Sequence, residues 1–220
     1  MSQTRISDYD VIIFDCDGVI FDSNNLKTSA FRSVPLQMGF PDSIVNNFVE
    51  EHKKQGGVSR YVKFRRFITH HLQQQFDDVL YEKLLSSYAD CCIALYKKAS
   101  LTPGAIDFFE KSNARHYVAS GGDEEELRKV FDSRGYTKYF INIYGSPKPK
   151  GECVKIVVSR EVTSKNTVLI GDSVSDFEAA RENGIDFIFM SHFSENKDEL
   201  IKLSLKYKFR TIDTLNDLVN

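Results

Sequence analysis

Two aspartates separated by a single residue, in Asp15-Cys16-Asp17-Gly18-Val19, follow directly on the apolar run Val11-Ile12-Ile13-Phe14. Where a strand ends the chain turns, so two carboxylates at this spacing reach one site while pointing differently. One can attack phosphorus and the other can shuttle a proton. Three further clusters carry compatible chemistry. Ser120-Gly121-Gly122 offers a hydroxyl and a Gly121 amide that can donate to phosphoryl oxygens, and glycine lets the backbone approach closely. Gly145-Ser146-Pro147-Lys148-Pro149-Lys150 supplies fixed positive charge. Gly171-Asp172-Ser173-Val174-Ser175-Asp176 supplies two more carboxylates. Carboxylates crowded at one edge repel each other unless a cation neutralises them. A hard, oxygen-liganded ion such as Mg²⁺ does so and also bridges a phosphoryl oxygen.

These clusters need a scaffold that brings them together. Short apolar runs bounded by polar residues read as buried strands. They fall at residues 11–14, 117–119, 140–144, 168–170 and 187–190, with a weaker one near 209–212. Amphipathic stretches at 124–133, 152–160 and 174–183 separate the later runs. Strand alternating with helix predicts an α/β fold with a parallel sheet covered on both faces. In such sheets ligands bind outside the carboxyl ends of the strands, and each of the four clusters follows a predicted strand. Asp123 with Glu126 three residues on reads as a capping pair, so a helix is expected to start just after Gly122.

Residues 21–98 read differently, with no convincing strand and about four helices. Tyr61, Phe64, Ile68 and Leu72 form one apolar stripe, and Leu80, Leu84, Tyr88, Cys91 and Leu95 form another. Ser43 and Ser59 are candidate N-caps. Pro103-Gly104 marks the return to the alternating pattern. An all-helical insert after the first strand is expected to form a lid over that strand's carboxyl end. The insert carries a basic run, Lys53, Lys54, Arg60, Lys63, Arg65 and Arg66. Lys63 and Arg66 project away from the stripe and read as solvated. Arg60 begins its helix, borders the stripe and follows Gly56-Gly57, which makes it a candidate contact for an anionic substrate. His70 and His71 read as packing or surface residues.

Taken in order, the four clusters resemble the signature motifs of the haloacid dehalogenase superfamily. Asp15-Cys16-Asp17-Gly18-Val19 looks like the first, Ser120 the second, Lys150 or Lys148 the third, and Gly171-Asp172-x-x-x-Asp176 the fourth. The resemblance spans essentially the whole chain. It implies a Rossmann-like three-layer core, at residues 1–20 and 99–220, with a helical cap of the family's first type at 21–98. It also implies roles. Asp15 would form an aspartyl-phosphate, and Asp17 would protonate the leaving oxygen and then activate water. Ser120 would hold the phosphoryl group and a lysine would steady the charge. Asp15, the backbone carbonyl of Asp17, and Asp172 would bind Mg²⁺, with Asp176 supporting it. Members that dehalogenate lack the second aspartate, so Asp17 favours phosphoryl chemistry. Phosphatases of this type often show Lys-Pro-x-Pro at the third motif, whereas this chain has Lys148-Pro149-Lys150-Gly151. Gly-Ser-Pro-x-x-Lys followed by a helix resembles a subgroup that favours Lys150, with Lys148 as the alternative.

The function implied is Mg²⁺-dependent hydrolysis of a small phosphorylated metabolite, with the overall pattern most similar to the phosphoglycolate phosphatase-like branch. A sugar-phosphate phosphomutase would share every residue named. A non-catalytic binding protein retaining the fold is the third reading. The 220 residues carry a net charge of -2, so no basic excess draws the chain to nucleic acid or an anionic membrane. Cys16, Cys91, Cys92 and Cys153 match neither a zinc spacing nor a disulfide framework, and read as buried thiols in a reducing compartment. No run is apolar and long enough to span a bilayer, and the N-terminal residues lack a signal-peptide pattern. A cytoplasmic location is the expectation.

Overall fold

The computed structural model describes residues 5–161 and 166–219. Among them, β1 (Val11–Phe14), β2 (Arg115–Asp123), β3 (Asn142–Ser146), β4 (Thr167–Gly171), β5 (Asp186–Met190) and β6 (Arg210–Ile212) form one sheet. The strands run in the order β3-β2-β1-β4-β5-β6, and every pair is parallel. The order reverses direction between β1 and β4, so the carboxyl ends of these two strands flank the crevice where ligands bind in such sheets.

Helices α1 (Asn24–Gln37), α2 (Asp42–Lys54), α3 (Arg60–Arg66) and α4 (Asp78–Tyr96) lie between β1 and β2. After them come α5 (Ala105–Lys111), α6 (Glu124–Ser133), α7 (Lys150–Arg160), α8 (Val174–Glu182) and α9 (Lys197–Tyr207). Side chains alternate across the sheet, as the two-residue strand period requires. Ile12, Phe14, Val118, Val168, Ile170 and Ile188 face a cluster shared with Phe108 and Phe109 of α5 and with Leu127, Val130 and Phe131 of α6. Val11, Ile13, Tyr117, Ala119, Leu169 and Phe189 face the other layer, with Cys153, Val154 and Val157 of α7 and Phe177 and Ala180 of α8. The three-layer α/β reading therefore holds. The first cluster also runs through Val19, Ile20 and Phe21 into Phe31, Phe48, Phe64 and Tyr88, so one apolar core joins the helical insert to the sheet.

Several local expectations shift. β2 continues through Ser120 and Gly121 to Asp123, with an irregular register between Ala119 and Asp123, rather than ending at Ala119. Phe140 precedes β3 and anchors the core beside Phe131 and Phe109. Ser59 is the N-cap of α3, but α2 starts from Pro41, which leaves Ser43 inside the helix. Proline presets the entry dihedral there, and Asp42 places a carboxylate at the positive helix end. The buried ridge of α4 is Leu84, Tyr88, Cys92 and Tyr96, not the row ending in Cys91 and Leu95. After Arg66 the chain widens into a π-helical turn, Phe67–His71, which buries Phe67 together with Ile68. Lys63, expected in solvent, is buried at 4% exposure.

Candidate active site

Asp15 is the first residue beyond β1. Its backbone amide donates to the Ile170 carbonyl at 2.9 Å, and its Oδ1 accepts from the Cys16 amide at 2.7 Å. Asp172 follows β4, and its Oδ2 accepts from Asn24 Nδ2 at 2.7 Å. Asp176 lies on the first turn of α8, where its Oδ2 accepts from the Ser173 amide at 3.0 Å and the Ser173 hydroxyl at 2.5 Å. One oxygen each from Asp15, Asp172 and Asp176 lies within 4.8 Å of the others, and all three residues are buried. Lys150, the first residue of α7, sets its Nζ 3.0 Å from Asp15 Oδ2 and 2.5 Å from Asp176 Oδ1.

This packing is electrostatically uneven. Burial pushes the Asp15 carboxyl up to about 7, the Asp176 charge adds to the rise, and Lys150 opposes it. Burial also raises Asp172, reinforced by the charges of Asp15 and Asp176. Burial would discharge Lys150, but Asp15 and Asp176 outweigh it and raise the ammonium above its ordinary value. One ammonium cannot balance three carboxylates. A divalent ion with oxygen preference fits the donor set, the crowding and the missing charge.

Asp17 faces elsewhere. Its Oδ1 accepts from the Ser23 hydroxyl at 2.6 Å and the Tyr96 hydroxyl at 2.7 Å, and Lys27 Nζ reaches Oδ2 at 2.5 Å. Burial disfavours its charge, yet Lys27 and the three hydrogen bonds prevail and hold the carboxyl below its ordinary value. The two aspartates of the motif thus sit in opposite environments, one crowded by carboxylates and the other neutralised by the helical insert.

The remaining expected residues divide. Ser120 is fully buried, with its Oγ accepting from the Gly122 amide at 3.0 Å. Gly121 lines the cleft, and its carbonyl accepts from the Ser146 hydroxyl at 2.7 Å. Lys148 stays apart from the acidic group and pairs with Glu124 at 2.8 Å near the surface. Arg60 also lines the cleft, but its guanidinium fork is taken bidentately by Glu126 at 2.6 and 2.7 Å. The expected reciprocal cap at Asp123 is therefore half made. Asp123 Oδ1 accepts from the Glu126 amide, while the Glu126 side chain crosses to the insert and Asp123 Oδ2 accepts from Tyr61. The insert seats closely on the sheet edge, since a Cβ at Gly121 would lie 2.1 Å from the Gly57 carbonyl oxygen.

Asn24, Lys27 and Tyr96, which hold Asp172 and Asp17, went unrecognised in the sequence. A signal existed for two of them. Asn24, Lys27 and Phe31 are spaced 3 and 4 on the helix that follows the aspartate motif, and all three line the cleft. Tyr96 lies too far along the chain for any spacing rule to connect it.

Fold and site together define a phosphatase-type hydrolase built on a doubly wound parallel sheet. A profile of haloacid dehalogenase-like hydrolases matches residues 9–184, and the chain belongs to that family. It is 22% identical over 192 residues to a phosphoglycolate phosphatase of Pseudomonas putida, covering 83% of this chain and 69% of the relative. Among solved structures it resembles a predicted phosphoglycolate phosphatase from Haemophilus somnus 129PT, with TM-score 0.76, 15% identity, and 97% and 98% of the two chains covered. It also resembles the hydrolase YfnB of Bacillus subtilis bound to magnesium, with TM-score 0.61, 20% identity, and 85% and 89% covered.

Proposed function

We propose that this protein is a Mg²⁺-dependent phosphomonoester hydrolase that acts on a small phosphorylated metabolite through an aspartyl-phosphate on Asp15. The observation that carries the reading is the buried group Asp15, Asp172, Asp176 and Lys150 with Asp17 set apart from it. Asp15 and Asp172, supported by Asp176 and the Asp17 carbonyl, would hold Mg²⁺. Bound there, the ion would neutralise the carboxylates and polarise the phosphoryl group. The magnesium-bound YfnB and the phosphoglycolate phosphatase of Pseudomonas putida support the choice of ion and reaction.

Asp15 attacks phosphorus, forming one P–O bond as the bond to the leaving oxygen breaks, and Asp17 gives that oxygen its proton. Asp17 then takes a proton from water, which attacks phosphorus and releases inorganic phosphate and free Asp15. Lys27, Ser23 and Tyr96 stabilise the ionised form of Asp17, which is the form that activates water. Proton donation to the leaving group uses the protonated form, which the Lys27 charge disfavours. Lys150 steadies the nucleophile, Ser120 and the Gly121 amide hold phosphoryl oxygens, and Arg60, oriented by Glu126, lines the cleft as a candidate substrate contact. Residues 21–98 act as a cap on the core at 1–20 and 99–220, excluding bulk water when closed. Among the described residues no helix is long and apolar enough to cross a membrane. A cytoplasmic location completes the proposal, in keeping with four free cysteines.

The test is release of inorganic phosphate from a panel of phosphorylated metabolites, with and without chelator. Activity is expected to vanish with EDTA and return with Mg²⁺. Asp15→Asn is expected to lose at least about 10³-fold in kcat, and mass spectrometry of acid-quenched enzyme should find phosphate on the Asp15 peptide. Undiminished turnover by Asp15→Asn would exclude the mechanism, and isomer formation without free phosphate would make the protein a mutase.

A further inference from the structure

The cleft beneath the helical insert is lined by three lysine and arginine side chains, Lys27, Arg60 and Lys63, and Lys150 lies beside it against Asp15. Lys27 is paired with Asp17, Arg60 with Glu126, and Lys150, against the cleft floor, with Asp15 and Asp176. Lys63 lines the same cleft, is 4% exposed, and forms no ion pair among the described residues. Its Nζ donates to His52 Nδ1 at 2.7 Å and weakly to the His52 carbonyl at 3.5 Å. With Nδ1 accepting, the neutral ring carries its proton on Nε2, which donates to Thr28 Oγ1 at 2.9 Å. The Thr28 hydroxyl in turn donates to Glu195 Oε1 at 3.1 Å. This relay fixes the His52 tautomer and holds the Lys63 head in place, and at least one ammonium proton is left for the cleft. The Phe31 ring lies 5.2 Å from that head and shields it from water.

A buried cation without a counter-ion is costly, and proteins ordinarily pair it. Burial and the neighbouring Lys27 push Lys63 down to about 7, against weaker support from Glu195 and Asp17, with Lys150 also opposing. His52 cannot share the charge, because burial, Lys63, Lys27 and Lys53 push its ring down to about 2. The steps proposed at Asp15 fall to Asp17, Lys150, Ser120 and the Gly121 amide, and none of them uses Lys63. We infer that Lys63, oriented by His52, forms a second oxyanion subsite, and that the substrate is a small phosphomonoester bearing a further carboxylate or phosphate. This rests on the reading of Asp15 as the phosphoryl site. The cavity, about 60 Å³, has room for only a small molecule.

Calorimetry without turnover tests it. Phosphonoacetate and 1,2-ethylenediphosphonate, each carrying a second anion, are titrated against methylphosphonate into the full-length protein in Mg²⁺. At least one of the two is expected to bind fivefold or more tightly than methylphosphonate, and which one does so tells carboxylate from phosphate. In Lys63→Met that ratio is expected to fall below fivefold. The variant should fold with an unchanged or higher Tm, since a methionine of similar length removes the unpaired charge; Lys63→Gln replaces it if it does not fold. A wild-type ratio below fivefold for both dianions, or a ratio that persists in the variant, overturns the inference. The wild-type ratio decides alone if neither variant folds. Loss of the aspartyl-phosphate reading would show instead as phosphate release by Asp15→Asn, which leaves these binding ratios untouched.

Discussion

Lys148 and Lys150 stand two residues apart and have opposite surroundings. Lys150 opens α7 and turns back under the ends of β1 and β4, where it meets Asp15 and Asp176. Lys148 meets Glu124 and keeps about a third of its side chain in solvent. Exposed pairs of that kind contribute about 0–1 kcal/mol, whereas removing a buried donor beside a reacting group costs about 10²–10³-fold in rate. Lys150→Met is therefore expected to lower kcat by about 10²–10³-fold, and Lys148→Ala to leave it within about threefold. Steady-state kinetics of the two variants checks the assignment, and the reverse ranking would make Lys148 the functional lysine. The motif favours Lys150 and keeps Lys148 as the alternative, because the choice depends on where α7 begins. Pro149 sets that start, and the helix begins two residues earlier than its amphipathic pattern suggested.

At the scale of elements, the loop between α2 and α3 is one place where the insert closes on the sheet edge. Gly57 adopts φ +75°, and a Cβ there would lie 2.0 Å from Ser175 Oγ. Alanine at this position takes on a left-handed conformation costing about 1–2 kcal/mol and must also push Ser175 aside. Gly57→Ala is expected to lower kcat/KM about tenfold, equivalent to about 1.4 kcal/mol, mainly through KM. The Tm of the variant reads whether the loss is confined to closure; a collapse of Tm without a change in KM would mean that the loop serves folding alone. The same region explains why Lys63 was misplaced. Helical periodicity assigned one buried face to α3, but α3 is packed against more than one neighbour. His52 of α2 and Phe31 of α1 meet Lys63 on the side that a single-stripe reading leaves to solvent.

At the scale of the whole molecule, the apolar layer that encloses His116 contributes to how stability responds to pH. His116 on β2 is buried among Phe14, Phe108, Phe109 and Phe140, with the Phe14 ring 5.4 Å away. Burial pushes its ring down to about 4, against 6.5 for an ordinary histidine. The unfolded chain therefore binds the proton first as pH falls. The stability tied to neutral His116 is complete above pH 6.5 and is lost as pH drops toward 4, by about 3 kcal/mol in total. Urea denaturation at pH 7 and pH 4 should show His116→Phe losing about 3 kcal/mol less than the wild type over this interval. Equal losses would place the ring's titration outside that window.

The sheet, its parallel sense, the helical insert and the positions of all four motifs were legible in the sequence. These depend on short-range patterns: apolar runs of strand length, turn residues at their ends, and the difference between two-residue and helical periods. What the sequence left open was which side chain meets which. Asn24 on Asp172, Lys27 and Tyr96 on Asp17, Arg60 on Glu126, and Lys63 on His52 join segments that no spacing rule connects. Spacing rules reach only a few residues along one element. The charge balance of a buried site is set by every element that closes around it, so only the folded chain decided which charges are neutralised there and which await a ligand.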